Sequence, residues 1–325
     1  MCDLFSDLPT EMANWRPIDR AVFERLIVAS APERVEDLRE IWKNYDPEFV
    51  LVPDSPGIKP SSKGKVVKFD DKSMRILWVL AHSAWRIFVC HSPHVLLMIA
   101  TGDPIDRDMM KKDPGFAEAV AAFEGFLYLM RDAVKAESAD EIAWPQDLAD
   151  PNTDRSTLPA DQHAVFDLVD IATAYVFLHE IRHVMFAKDK NAPARGADEE
   201  IVCDTFARDF LLARINTYAE SAPWSAELIL MKRAMAVALG AFFVYEVTAS
   251  EIRSGTDDYP PFADRFETLI GQAGATNDSD FWVFAATLLL ASLRRLDPRA
   301  SIKANAPDEL CRNLIAAIRK ATPDV

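Results

Sequence analysis

The chain has 325 residues, half of them hydrophobic and 27% charged, the balance of a folded chain with a large core rather than a disordered one. Its formal net charge of −15 disfavours nucleic acid as a direct partner, because phosphate binding needs clustered Lys and Arg. The four cysteines (Cys2, Cys90, Cys203 and Cys311) form no CxxC pair, which points to reduced thiols in a cytoplasmic protein and away from a disulfide framework.

Only ten glycines and little alternating hydrophobicity argue for a mainly α architecture, or α+β with a small sheet. The opening stretch, MCDLFSDLPTEMANW, lacks the basic start and apolar run of a secretion signal. Helices are expected at Pro17–Ser30 and Val35–Tyr45, followed by a polar loop from Pro53 to Gly64. Lys65–Phe69 is the best strand candidate, and helices resume at Ser73–Cys90 and Gly115–Ala136. A turn-rich stretch, Trp144–Pro159, divides the chain into a mainly helical N-terminal region (1–150), suited to substrate or regulatory contacts, and a second helical domain (151–325). Asp161 is placed to cap a long helix reaching about Ala187, and another runs from Asp198 to Tyr218. Further helices are expected at Ser225–Ile252, Phe262–Gly271, Asp280–Leu296 and Asp308–Lys320. The apolar runs Ile76–Cys90, Ala234–Tyr245 and Phe281–Leu293 are each broken or ended by charged or polar residues, short of the ~20 residues that span a bilayer, so no membrane partner is expected.

The chemistry concentrates at His179-Glu180-Ile181-Arg182-His183. Two histidines four residues apart project from nearly one side of a helix and can grip one metal ion, while Glu180 flanks them within reach of a water. This is the HExxH pattern of zinc hydrolases, with the glutamate as general base. Val165, Leu168, Ala172, Val176, His179 and His183 follow three- and four-residue steps, so the histidines continue the face that should be buried.

A catalytic zinc usually takes three protein ligands. After the break at Asn191–Gly196 comes Glu199-Glu200-Ile201-Val202-Cys203-Asp204, in which Glu200, Asp204, Ala207 and Leu211 share a helical face. Glu200 is therefore assigned as the third ligand, with Asp204 accepting the free N–H of His179 or His183. Glu199 is the rival ligand, but it has Cys203 rather than a carboxylate four residues on. Other candidates carry less. His91-Ser92-Pro93-His94 has no companion carboxylates and is read as a loop or helix end, and His82 and His163 stand alone. Arg182 is assigned to the exposed side of its helix, and Phe242, Phe243 and Tyr245 fit core packing.

HEIRH followed by EEIVCDTFARDFLL resembles the gluzincin metallopeptidases, where HExxH on one helix meets ExxxD on the next. The compact ExxxDxFAxxFLL form is similar to the phage-exclusion peptidases of the Lit type and, more distantly, to the ImmA/IrrE-type peptidases. Those motifs usually carry alanine where this chain has Cys203, a thiol that would face the metal. The resemblance implies a zincin-like core, one Zn²⁺ per chain and an intracellular endopeptidase in which Glu180 takes a proton from water and passes it to the leaving amine. Tyr259-Pro260-Pro261 with Arg265 resembles a His-Pro…Arg element of related peptidases. On that likeness Tyr259 or Arg265 would donate to the oxyanion, the alternative being that Arg265 pairs with Asp204 or a surface carboxylate. The Lit type implies cleavage of elongation factor Tu, and the ImmA type cleavage of a transcriptional repressor. A non-catalytic zinc-containing protein and a toxin component that docks a partner through its acidic surface are the remaining alternatives.

Overall fold

The computed structural model describes residues 15–54, 61–104, 112, 114–142, 144, 148–149, 153–248, 253–297 and 300–321. Cys2, the opening stretch up to Asn14, the middle of the polar loop, parts of the turn-rich stretch and the end of the helix expected at Ser225–Ile252 lie outside these residues.

The architecture is mainly helical with one small mixed sheet. Strand β1 (Arg16–Ile18) precedes α1 (Arg20–Ser30), whose N-terminus is capped by the Asp19 carboxylate accepting from the Ala21 N–H at 2.9 Å. The chain continues through α2 (Val35–Tyr45) and β2 (Glu48–Leu51) to the hairpin β3 (Ser61–Lys63) and β4 (Val66–Phe69). A two-residue turn joins β3 to β4, and Gly64 there adopts φ +62°, a conformation that glycine reaches without a Cβ clash. The sheet order is β1-β2-β4-β3, with β2 and β4 parallel and the outer pairs antiparallel, so β3 is an edge strand. The expected strand at Lys65–Phe69 is β4, starting one residue later. The other three strands escaped the sequence pattern because runs of three or four residues carry almost no alternation.

Helix α3 spans Asp71–Thr101, longer than expected. Asp70 caps its start by accepting from the Ser73 N–H at 2.5 Å, and Gly102 at φ +71° ends it. It runs straight through His91-Ser92-Pro93-His94, correcting the assignment of that segment to a loop or helix end. Pro93 costs helix stability, but Ile87, His91, Val95 and Met98 form a buried stripe around it, and α3 packs along two other helices. Those partners are α4 (Pro114–Lys135) and α10 (Asp280–Leu296).

Helix α5 (Ala160–Asp189) is the spine of the molecule. It begins at Ala160 behind Pro159, so Asp161 lies within the helix and does not cap it; the proline supplies the entry through its fixed φ of −60°. One side of α5 meets the sheet through Phe177, whose ring lies 4.7 Å from Phe23 and 5.4 Å from Phe69. The opposite sides meet α6 (Gly196–Leu212) and α8 (Ala226–Val247), with the short α7 (Ile215–Ala219) between them. Helices α9 (Phe262–Gly271), α10 and α11 (Pro307–Ala321) complete the packing.

Among the described residues α8 is the one helix long and apolar enough to cross a membrane by length and composition, and 72% of its most apolar stretch is buried inside the protein. Its Arg233 is buried against Glu33, donating to the carboxylate at 2.5 and 3.0 Å and to the Leu211 carbonyl at 2.8 Å.

Candidate metal centre

His179 and His183 emerge one turn apart from α5, and their Nε2 atoms approach to 3.2 Å. Glu200, from the first turns of α6, places Oε2 3.3 Å from His179 Nε2 and Oε1 3.3 Å from His183 Nε2. Donors around a tetrahedral metal ion such as zinc stand roughly 3.3 Å apart, so two imidazoles and the two oxygens of one carboxylate at these separations could hold a metal ion. The Cys203 thiol belongs to the same cluster, with ligand atoms of His179, His183 and Cys203 all within 4.8 Å of one another. Glu200 thus meets both imidazoles, and the thiol is a further donor within reach of them.

Each histidine is held from behind by its own carboxylate. His179 Nδ1 faces Asp204 Oδ1 at 2.9 Å, and His183 Nδ1 faces Glu199 Oε1 at 2.6 Å. These contacts hold a proton on Nδ1 of each imidazole and turn Nε2 to the cluster. Burial would lower both pKa values, but the bonds to Asp204, Glu199 and Glu200 raise them, that of His179 to about 10. Nε2 therefore also carries a proton, which it donates to Glu200 and which a bound metal ion would displace. Glu199 thus faces the back of His183, as Asp204 faces the back of His179. The two glutamates are adjacent in sequence but project from different faces of α6.

Asp204 is buried and saturated. Its Oδ1 accepts from His179 Nδ1, from the Tyr175 hydroxyl at 2.6 Å and from Arg265 Nη2 at 2.9 Å, and its Oδ2 accepts from Arg265 Nε. Arg265 Nη2 also lies 3.3 Å from Glu200 Oε2. Of the two roles read for Arg265 from the sequence, the structure displays the pairing with Asp204. Tyr175 was not anticipated, although it sits one helical turn before His179 on the same face; a tyrosine in an apolar stripe reads as core.

The charges respond to this packing. Burial opposes ionisation of Asp204, but Arg265 and His179 prevail and hold its carboxyl down at about 2. Burial likewise works against Glu200, yet hydrogen bonds from both histidines keep it well below the usual carboxylate range. Glu180, also buried, shifts the other way: desolvation raises its pKa although His179 and His183 pull against the rise. The Cys203 thiol is driven up by burial and by the surrounding carboxylates.

A cavity of about 720 Å³ opens over the cluster. Glu180 lines it beside His179, His183 and Glu200, with Ser61 and Ser62 of edge strand β3 on one wall and Phe243, Val244 and Val247 of α8 on another. Tyr259 lines it as well, 45% exposed, and burial followed by the charges of Glu200 and Asp258 raises its pKa, which keeps the phenol protonated as a donor. The loop bearing Tyr259 is fastened to α6. The Ala197 N–H donates to the Asp257 carbonyl at 3.1 Å, and a Cβ on Gly196 would fall 2.9 Å from Asp258 Cα, so only glycine allows this approach.

The other histidines are not part of the centre. His82 is buried beside Trp78, His91 is buried in α3, and neither lines the cavity; nor do His94 and His163. Arg182 is not on an exposed side: it is partly buried, its guanidinium 4.3 Å from the Phe186 ring and 5.5 Å from that of Phe206. Phe242, Phe243 and Tyr245 are buried in the core as expected, and Phe243 also forms cavity wall.

No curated protein and no solved structure matches the chain. Residues 67–285, about two thirds of its length, match the family described as Peptidase U49. That segment contains α5, α6 and α9, and with them every residue of the histidine–carboxylate cluster. The chain belongs to the Peptidase U49 family.

Proposed function

We propose that the chain is a zinc-dependent endopeptidase of the gluzincin type, with His179, His183 and Glu200 as metal ligands, Asp204 and Glu199 as their outer partners, and Glu180 as general base. The observation that carries this reading is the mutual 3.2–3.3 Å spacing of two imidazole nitrogens and one carboxylate at the floor of a cavity that also holds Glu180. A bound zinc ion supplies Lewis-acid polarisation of a peptide carbonyl and lowers the pKa of a water in its open position.

The chain's own residues do the rest. Glu180, with its pKa raised by burial, takes a proton from the attacking water and returns it to the leaving amine. Arg265 binds Asp204 and Glu200 and also lines the cavity, so it fixes the ligand-bearing helix beside the substrate space. Tyr259, half-exposed and protonated, is the tyrosine on the cavity wall suited to donate to the oxyanion. Strand β3 has no partner on its outer edge among the described residues, and its backbone beside the cavity suits an extended substrate segment added as a further strand.

The likeness of EEIVCDTFARDFLL to the phage-exclusion peptidases makes a cytoplasmic translation factor such as elongation factor Tu the first candidate substrate. Proteome-wide mapping of new N-termini in cells expressing the wild-type chain or Glu180→Gln tests catalysis and substrate together. Neo-termini confined to the wild type support the proposal; identical termini in both would refute it.

A further inference from the structure

Tyr175 occupies a position that packing alone does not explain. Its side chain is 1% exposed on α5, where a phenylalanine would fill the same space without burying a hydroxyl. The hydroxyl is instead spent on Asp204 Oδ1 at 2.6 Å, the oxygen that also receives His179 Nδ1 at 2.9 Å. Behind the ring stands Gly240 of α8, an interior helical glycine in a segment otherwise rich in alanine and large apolar residues. Glycine at such a site costs about 1 kcal/mol relative to alanine. The reason for it is steric: a Cβ on Gly240 would lie 2.6 Å from Tyr175 Cδ1 and 3.2 Å from Cε1. The α8 backbone therefore presses directly on the ring and leaves it no room to withdraw from Asp204.

We propose that Tyr175, braced by Gly240, is a positioning residue that sets the metal affinity of the centre by holding Asp204 against His179. The contact chain runs from the α8 backbone through the Tyr175 ring and hydroxyl to Asp204, and from there to the imidazole whose Nε2 faces the cluster. Arg265 neutralises Asp204 through both carboxylate oxygens but is carried by α9, so Tyr175 ties the carboxylate to the same helix as the histidine it serves. The inference rests on the metal-centre reading, and its test separates the two.

The experiment is a zinc titration in competition with a chromophoric chelator, on wild-type protein and on Tyr175→Phe, Gly240→Ala, the double variant and Tyr245→Phe. Tyr245 is a buried phenol on α8 outside the Asp204 contacts, so it controls for the loss of a buried hydroxyl as such. Outer partners of metal-bound histidines are typically worth about 10–100-fold in affinity. Tyr175→Phe and Gly240→Ala are each expected to weaken zinc binding about tenfold, the double variant no more than Tyr175→Phe alone, and Tyr245→Phe not at all. Tyr175→Phe retains the ring, so an affinity equal to wild type would show that Tyr175 only packs and would overturn the inference. Equal weakening by Tyr245→Phe, or fully additive effects in the double variant, would overturn it as well. A wild-type chain that binds no zinc would instead refute the metal centre itself, and this inference with it.

Discussion

Replacing Asp204 by alanine separates the stability of the centre from its metal chemistry. Asp204 is 2% exposed and Arg265 9% exposed, and the two meet through paired hydrogen bonds. Removing one member of a buried ion pair typically costs about 3–5 kcal/mol, because the remaining charge is stranded. Glu200 remains 3.3 Å from Arg265 Nη2, so part of the compensation survives and the lower end of that range, about 3 kcal/mol, is expected. For a chain of this size that corresponds to a fall of roughly 4–5 °C in the unfolding midpoint of the metal-free protein. His179 simultaneously loses the acceptor for Nδ1, and zinc affinity should drop about 10–100-fold. Adding Arg265→Met removes the stranded charge. The double variant should therefore regain at least half of the lost stability in denaturant unfolding while zinc affinity stays low. A cost below about 1 kcal/mol for Asp204→Ala, or a recovery of zinc affinity in the double variant, would refute this division of roles.

Glu200→Gln should lose zinc in a competition titration, whereas Glu199→Gln should keep it with about 10–100-fold weaker affinity; the reverse result would exchange ligand and outer partner. His91 offers a test of the fold through pH. Burial first, and then the positive charge of Arg294 and the neighbouring His94, push its pKa down to about 3, against a weaker opposing pull from its hydrogen bond to the Ile87 carbonyl. An unfolded histidine titrates near about 6.5, so between these values the unfolded chain binds the extra proton and stability falls as pH falls. From pH 7.5 to 5 the wild type should lose about 2 kcal/mol that His91→Gln does not lose, measured as the difference between their denaturant-unfolding curves; parallel curves would contradict the burial of a neutral imidazole.

Most of the histidine–carboxylate cluster was legible in the sequence, because its parts are local. His179 with His183, and Glu200 with Asp204, are four-residue pairs on single helices, and helical spacing fixes which side they share. Contacts between elements were less legible. Glu199 was recognised as a rival ligand, but its hydrogen bond to His183 depends on the angle at which α6 returns against α5. For Arg265, pairing with Asp204 was one of several roles open, and only the packing of α9 displays it. Tyr175 and Gly240 have no sequence signal of their own: one looks like core and the other like a weak point in a helix. In the fold, most helices were found to within a few residues, but α3 runs on past Cys90 to Thr101 and the helix expected to reach Tyr218 stops at Leu212, while three of the four short strands were missed. Pro93 was misread as a boundary because tertiary burial on both sides of it outweighs its local cost.

The central claim is a single zinc held by His179, His183 and Glu200. Metal analysis of the purified chain after zinc supplementation and desalting tests it most directly, run beside a His179→Ala/His183→Ala variant. One zinc per wild-type chain and none in the variant are expected. A wild-type chain without zinc, or a variant that retains as much as the wild type, would contradict it.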